Sequence, residues 1–134
     1  MATEIPLARN SIVLFPEILE ELKRIALERS PNEACGVLLP TPRGHNSASQ
    51  VVELPNRSMQ HHDSYQIYPS DIHITLAEWI EDSTVEDVGK MAVWHSHPGG
   101  NVGPSADDLK MKVDGLQYLV VTLTAEQELI PCWF

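Results

Sequence analysis

Trp94-His95-Ser96-His97-Pro98-Gly99-Gly100-Asn101-Val102-Gly103-Pro104-Ser105-Ala106-Asp107-Asp108 is the stretch around which the rest of the chain is arranged. Just upstream, Lys90-Met91-Ala92-Val93-Trp94 is mostly apolar and unbroken, which reads as a buried strand with His95 and His97 at its end. Side chains on a strand alternate between faces, so positions two apart point the same way. Two imidazoles therefore leave one side of the chain, near enough to share an ion. Pro98-Gly99-Gly100 stops the strand, because proline has no N–H for the ladder and glycine permits sharp turns. Pro104-Ser105 looks like a helix start with Ser105 as N-cap. Asp108 then falls in the first helical turn, where its carboxylate can turn back toward the histidines.

His95, His97 and Asp108 make three protein ligands. Zinc held by three protein ligands keeps its fourth position for water, which separates catalytic from structural sites. Bound zinc lowers the pKa of that water to about 7. A general base outside the ligand set is still needed, and Glu33 is the best upstream candidate. Taken singly, these signals are weak. His-x-His occurs by chance on surface strands, and Ser-x-x-Asp is an ordinary helix start with its carboxylate near the positive end of the dipole. Together, and split by a Pro/Gly loop, they are far more specific.

The spacing His95-x-His97, then Ser105, then Asp108 resembles the signature of the JAMM (MPN+) metalloprotease family. That family also carries an upstream glutamate, often followed by x-Cys-Gly, and this chain has Glu33-Ala34-Cys35-Gly36 before the apolar run Val37-Leu38-Leu39. The likeness runs from about Ser11 to Phe134. Its wording is most similar to bacterial and phage members, including the N-terminal domain of lambda-type tail-assembly proteins. The resemblance implies one JAMM/MPN domain over residues 1–134, α/β (α+β) in class: a cytidine-deaminase-like α-β-α sandwich with a mixed central sheet. Interleaved strands and helices read independently as a mixed α/β or α+β sandwich.

At 134 residues one domain is expected, able to bury about 68% of its unfolded surface. The composition, 43% hydrophobic and 21% charged, is that of an ordinary globular protein. A net charge of -10 argues against nucleic acid and against an anionic membrane surface. A neutral or basic protein partner fits better, although acidity also serves solubility alone. Two cysteines, Cys35 and Cys132, without a Cys-x-x-Cys pair fit a reducing compartment. No charged-then-apolar leader and no span-length apolar run is seen, so the cytoplasm is expected.

Along the chain, Ser11 to Leu14 suggests a short first strand. Pro16 suits the first position of a helix in which Ile18, Leu19, Leu22, Ile25 and Ala26 recur at helical spacing, ending near Ser30-Pro31. Val37 to Leu39 reads as a buried strand with Glu33 at its entrance and Cys35 as core filling. Pro40 to Gln50 is rich in turn residues, and Val51 to Leu54 is a short strand expected to pair with the previous one. His61-His62-Asp63 is a rival metal cluster on paper, but adjacent side chains on an extended chain diverge. Tyr65 to Tyr68 is extended. Ser70 is expected to cap a helix from Asp71 to about Asp82, with Ile72, Leu76, Trp79 and Ile80 as its apolar stripe and His73 solvated. Glu81 to Gly89 is an acidic connection, Ser105 to about Val113 a short helix, and Tyr118 to Leu123 and Leu129 to Phe134 are strands.

The resemblance implies a zinc-dependent peptidase or isopeptidase carrying one Zn2+ per chain, with water as the fourth ligand. In that reading Glu33 takes the water's proton and Ser105 donates to the developing oxyanion, as the family's serine does. Gly99 and Gly100 would let an extended peptide approach closely. The partner is a protein or peptide substrate of ubiquitin-like or sulfur-carrier kind, cut next to its C-terminal Gly-Gly; the oligomeric state stays open. One alternative is a phage tail-assembly maturation protease. Such relatives often continue into a second peptidase domain, whose activity is not expected of a chain that stops at Phe134. Another is a non-catalytic MPN scaffold, against which every ligand position is filled. A zinc nucleobase deaminase would need His-x-Glu and Pro-Cys-x-x-Cys, and the chain has neither.

Overall fold

A computed structural model describes residues 12–41, 47–59, 64–79, 90–113 and 116–134. The elements are α1 (Pro16–Arg29), β1 (Cys35–Pro40), β2 (Ala48–Leu54), α2 (Pro69–Trp79), β3 (Ala92–His97), α3 (Ala106–Met111), β4 (Gln117–Leu123) and β5 (Leu129–Trp133). The strands form one mixed sheet in the order β2-β1-β3-β4-β5. β1 is antiparallel to both β2 and β3, β3 and β4 are parallel, and β4 and β5 are antiparallel. A parallel pair needs a crossover, and the β3–β4 crossover carries α3.

Strand parity separates the two faces. Leu38, Ala92, Trp94, Leu119, Val121 and Trp133 pack with Ile18, Leu22 and Ile25 of α1. On the opposite face Val37, Leu39 and Leu54 pack with Ile67, Ile72 and Met91. Helices thus cover both sides of the sheet, giving the expected α-β-α sandwich. α1 forms where its apolar stripe dictates: Pro16 starts it, Ile18, Leu22, Ile25 and Ala26 are buried, and Ser30 N–H bonds back to the Ala26 carbonyl at 3.0 Å. Gly36 has a specific cause. A Cβ there would lie 1.9 Å from the Val52 carbonyl oxygen, which accepts from Trp94 Nε1 at 3.3 Å. Only glycine lets β2 and the indole meet there.

Several boundaries differ from the sequence reading. Ser11 is outside the described residues, and the remainder of the expected first strand forms no ladder among the described residues: Val13 and Leu14 are isolated bridge residues, Val13 with Ser47. The turn into α1 at Phe15-Pro16 leaves no length for a ladder, so Ile12 and Leu14 serve as core residues. β2 starts at Ala48 rather than Val51; Ser49 and Gln50 are exposed on this edge strand, which hid it from hydropathy. α2 starts at Pro69, so Ser70 lies within the first turn and is not its cap. β3 starts at Ala92, two residues after the expected Lys90, and carries both histidines to its end, where β4 pairs alongside as far as His97↔Thr122. α3 ends at Met111, short of Val113. His73 is exposed, as expected. His61-His62-Asp63, the acidic connection 81–89 and the end of the stripe at Ile80 lie outside the described residues. Among the described residues no helix is long and apolar enough to cross a membrane.

Candidate metal centre

The site assembles at the C-terminal end of β3. His95 and His97 leave the same face, His95 wholly buried and His97 partly so. Their Nε2 atoms lie 3.2 Å apart. The Pro98–Pro104 loop then returns the chain, using Gly103 at φ +95°, a conformation that other residues rarely adopt. At the start of α3, Ser105 and Asp108 form a capping box. Asp108 N–H donates to Ser105 Oγ at 3.0 Å, and Ser105 N–H donates to Asp108 Oδ2 at 2.8 Å. This box fixes the carboxylate, and the same Oδ2 lies 3.1 Å from Nε2 of His95 and 3.1 Å from Nε2 of His97.

Glu33 arrives from another direction. β1 pairs with β3 so that Cys35 faces His95, and Ser96 clamps the residue before β1: Ser96 N–H donates to the Ala34 carbonyl at 2.9 Å, and Ala34 N–H donates to Ser96 Oγ at 2.8 Å. Glu33, next in the chain, is buried, and its carboxylate lies with one nitrogen each of His95 and His97 inside 4.8 Å. A cleft of about 420 Å³ opens here, lined by Pro31, Glu33, His97, Gly99 and Ser105 among others.

These donors fit a metal ion. Three electron-pair donors stand at the corners of a triangle with sides of 3.1, 3.1 and 3.2 Å. Tetrahedral zinc with bonds of about 2.1 Å spaces its ligand atoms by about 3.4 Å, close to this triangle. Glu33, His95 and His97 could also hold an ion between them.

The charges follow. Burial opposes ionisation of Asp108, but hydrogen bonds with His95 and His97 outweigh it and hold the carboxyl well below the usual range. Burial pushes His95 down against the pull of Asp108, which keeps its lone pair available. Burial also opposes charge on His97, yet Asp108 and Glu33 raise it overall. Cys35 is pushed up to about 12, mainly by burial, so it is a thiol; its Sγ lies 3.7 Å from the Leu54 carbonyl, in keeping with packing rather than chemistry.

The structure therefore brings together all five residues singled out from the sequence: Glu33, His95, His97, Ser105 and Asp108. Sequence reasoning missed three supporting residues. Ser96 could have been found by parity, as a hydroxyl aimed at an apolar face. Tyr65, whose ring stacks on His95 at 4.2 Å and 18°, and Asn56, whose Nδ2 donates to the Glu33 carbonyl at 3.0 Å, carry no local signal.

A family model described as prokaryotic homologs of the JAB domain matches residues 16–133. The solution structure of a protein from Desulfitobacterium hafniense is similar, with 25% identity and a TM-score of 0.72, covering 90% of this chain and 81% of that one. A solution structure from Salinibacter ruber, at 24% identity and a TM-score of 0.53, covers 88% of this chain and 78% of that one, and shares the fold. Comparison with curated proteins found no match. A family match over nearly the whole chain, joined to the imidazole–carboxylate cluster at the end of β3, shows that this chain belongs to the prokaryotic homologs of the JAB domain.

Proposed function

We propose that this chain is a zinc-dependent metallopeptidase or isopeptidase acting next to the C-terminal Gly-Gly of a ubiquitin-like or sulfur-carrier protein. The observation that carries the reading is the 3.1–3.2 Å triangle of His95, His97 and Asp108, with Glu33 beside it in an open cleft. His95, His97 and Asp108 would hold one zinc ion per chain. When bound, the ion would polarise the scissile carbonyl and make a coordinated water acidic near neutrality. Glu33, whose carboxylate lies within 4.8 Å of both imidazoles, would serve as the base that takes a proton from water and returns it to the leaving amine. Ser105 Oγ accepts from Asp108 N–H, and its own hydrogen has no acceptor among the described residues, so it can donate to an oxyanion. Gly99 borders the cleft, and a Cβ there would meet nothing within 4 Å, which suits the close approach of an extended backbone. Both cysteines are free thiols, in keeping with a cytoplasmic protein, and the charge of -10 favours a neutral or basic protein substrate.

The test is incubation of zinc-loaded protein with fusions that join a ubiquitin-like domain ending in Gly-Gly to a reporter, followed by mass spectrometry. Cleavage after Gly-Gly, abolished by a chelator and by Glu33→Gln, is the expected result. Intact fusion after prolonged incubation with the zinc-loaded wild type would overturn the substrate assignment.

A further inference from the structure

Asn56 lies just beyond β2, outside the ligand set, yet its side-chain amide is fully used. Nδ2 donates to the carbonyls of Glu33 and Ser64, each at 3.0 Å. Oδ1 accepts from Ser58 N–H at 3.0 Å and Gln66 N–H at 3.1 Å. A primary amide has two donor hydrogens and two acceptor lone pairs. All four are therefore satisfied, and every partner is main chain. Ser58 is local, two residues on, and the other three partners fall into two pieces of the molecule. One leads Glu33 into β1; the other, Ser64 and Gln66, brackets Tyr65.

Tyr65 matters because of how His95 is held. A ligating imidazole ordinarily gives its second nitrogen to a carboxylate or carbonyl, which fixes the ring. His95 Nδ1 is buried and has no hydrogen-bond partner among the described residues. Ring packing takes that place: Tyr65 stacks on one face at 4.2 Å, and Phe134 meets it edge-on at 6.0 Å and 88°. The angle of the His95 ring then depends on where the main chain of Tyr65 is set, and Asn56 sets it while also holding Glu33.

We propose that Asn56 is a positioning residue of the metal centre, coupling the Glu33 main chain to Tyr65 and through Tyr65 to the orientation of His95. The inference rests on the zinc reading above. Asn56→Asp is the discriminating change, because it preserves shape and the Oδ1 acceptor but turns both donor bonds into contacts between oxygens. Zn2+ affinity, read by competition with a chromophoric chelator, should fall about 10-fold or more in Asn56→Asp, the usual scale for outer-shell partners. Arg57→Ala, which removes the neighbouring ion pair with Asp71 and the guanidinium over Tyr68 but no contact of Asn56, should stay within about twofold. Tyr65→Leu should weaken Zn2+ binding too, and the double variant should lose less than the product of the two single effects, because the residues act in series. The visible bands of the Co2+-loaded protein should shift in Asn56→Asp. In the wild type, Zn2+ should raise the hydrogen-exchange protection of the Ser58 and Gln66 amides, since coupling is reciprocal; this measurement decides the matter if Asn56→Asp does not fold. Wild-type Zn2+ affinity and Co2+ bands in Asn56→Asp, or unchanged protection at Ser58 and Gln66, would overturn this inference alone. Failure of the wild type to bind Zn2+ would overturn the zinc reading and this inference with it.

Discussion

Trp94 and His95 are neighbours on β3 and both are 0% exposed, yet they face opposite sides of one sheet and opposite physics. Trp94 sits among Leu22, Leu38, Leu119 and Trp133, with its single N–H donated to Val52. That side is apolar and close-packed, and Trp94 is paired, although Trp133 Nε1 is buried there with no hydrogen-bond partner among the described residues. His95 has another imidazole and a carboxylate against Nε2, and no partner among the described residues for Nδ1. On the His95 side two imidazoles and a carboxylate are buried against one another, and such costly groupings concentrate where a protein works. The contrast teaches that α1 and its face hold the sheet, while the opposite face spends stability on converging donors.

The contrast can be broken by experiment. The largest effect belongs to the site side. Glu33→Gln should lower peptidase activity by about 10²–10⁴-fold while leaving zinc content and the urea midpoint near wild type; a variant that keeps full turnover would remove Glu33 as the base. Next comes the core side. Trp94→Ala should destabilise by about 3–5 kcal/mol, read by urea denaturation, with zinc stoichiometry unchanged in the folded fraction. If that change instead emptied the metal site without loss of stability, the division between the two faces would be wrong.

Acid sharpens the same comparison in the metal-free protein. Asp108 has a folded pKa below its unfolded value, so its contribution is present above about pH 4 and is lost as pH falls further. His95 is lowered from 6.5, so the unfolded chain takes up that proton first and stability declines as pH falls through 6.5. His97 is raised and acts with the opposite sign: its contribution is complete below 6.5 and is lost as pH rises through its folded value. His95 thus acts below about pH 6.5 and His97 above it, so together they place a maximum near pH 6.5, and Asp108 acts below about pH 4. Urea midpoints should peak near pH 6.5, decline to either side and fall further below about pH 4, with a flatter acid limb in Asp108→Asn. An acid limb unchanged in that variant would exclude Asp108 as its source. The smallest effect concerns Cys35: with its thiol pushed up to about 12, it should resist iodoacetamide at pH 8, and Cys35→Ala should leave zinc binding unaltered. Rapid alkylation of Cys35 in the native protein would show that its burial is misjudged.

Much of this arrangement was legible in the residues. Period-two geometry put His95 and His97 on one face, and the capping box turned Asp108 back toward them, because both effects act within a few residues. The stripe of α1 was legible for the same reason. What escaped depends on contacts distant in sequence. Ser96 acquires its role only when Ala34, 62 residues away, comes alongside. Tyr65 and Asn56 look like ordinary loop residues until the segments around Glu33 and Ser64 meet. The start of β2 was hidden because the exposed edge residues Ser49 and Gln50 carry no apolar alternation, and the bridge at Val13 was too short to be told from a strand.

Metal analysis of the purified protein tests the central claim most directly, comparing the wild type with His97→Ala after loading with excess Zn2+ and removal of the unbound ion. Convergence of His95, His97 and Asp108 predicts one zinc per wild-type chain, bound through nitrogen and oxygen by X-ray absorption, and none retained in His97→Ala. A wild-type chain that retains no divalent metal, or a His97→Ala variant that retains as much as the wild type, would contradict it.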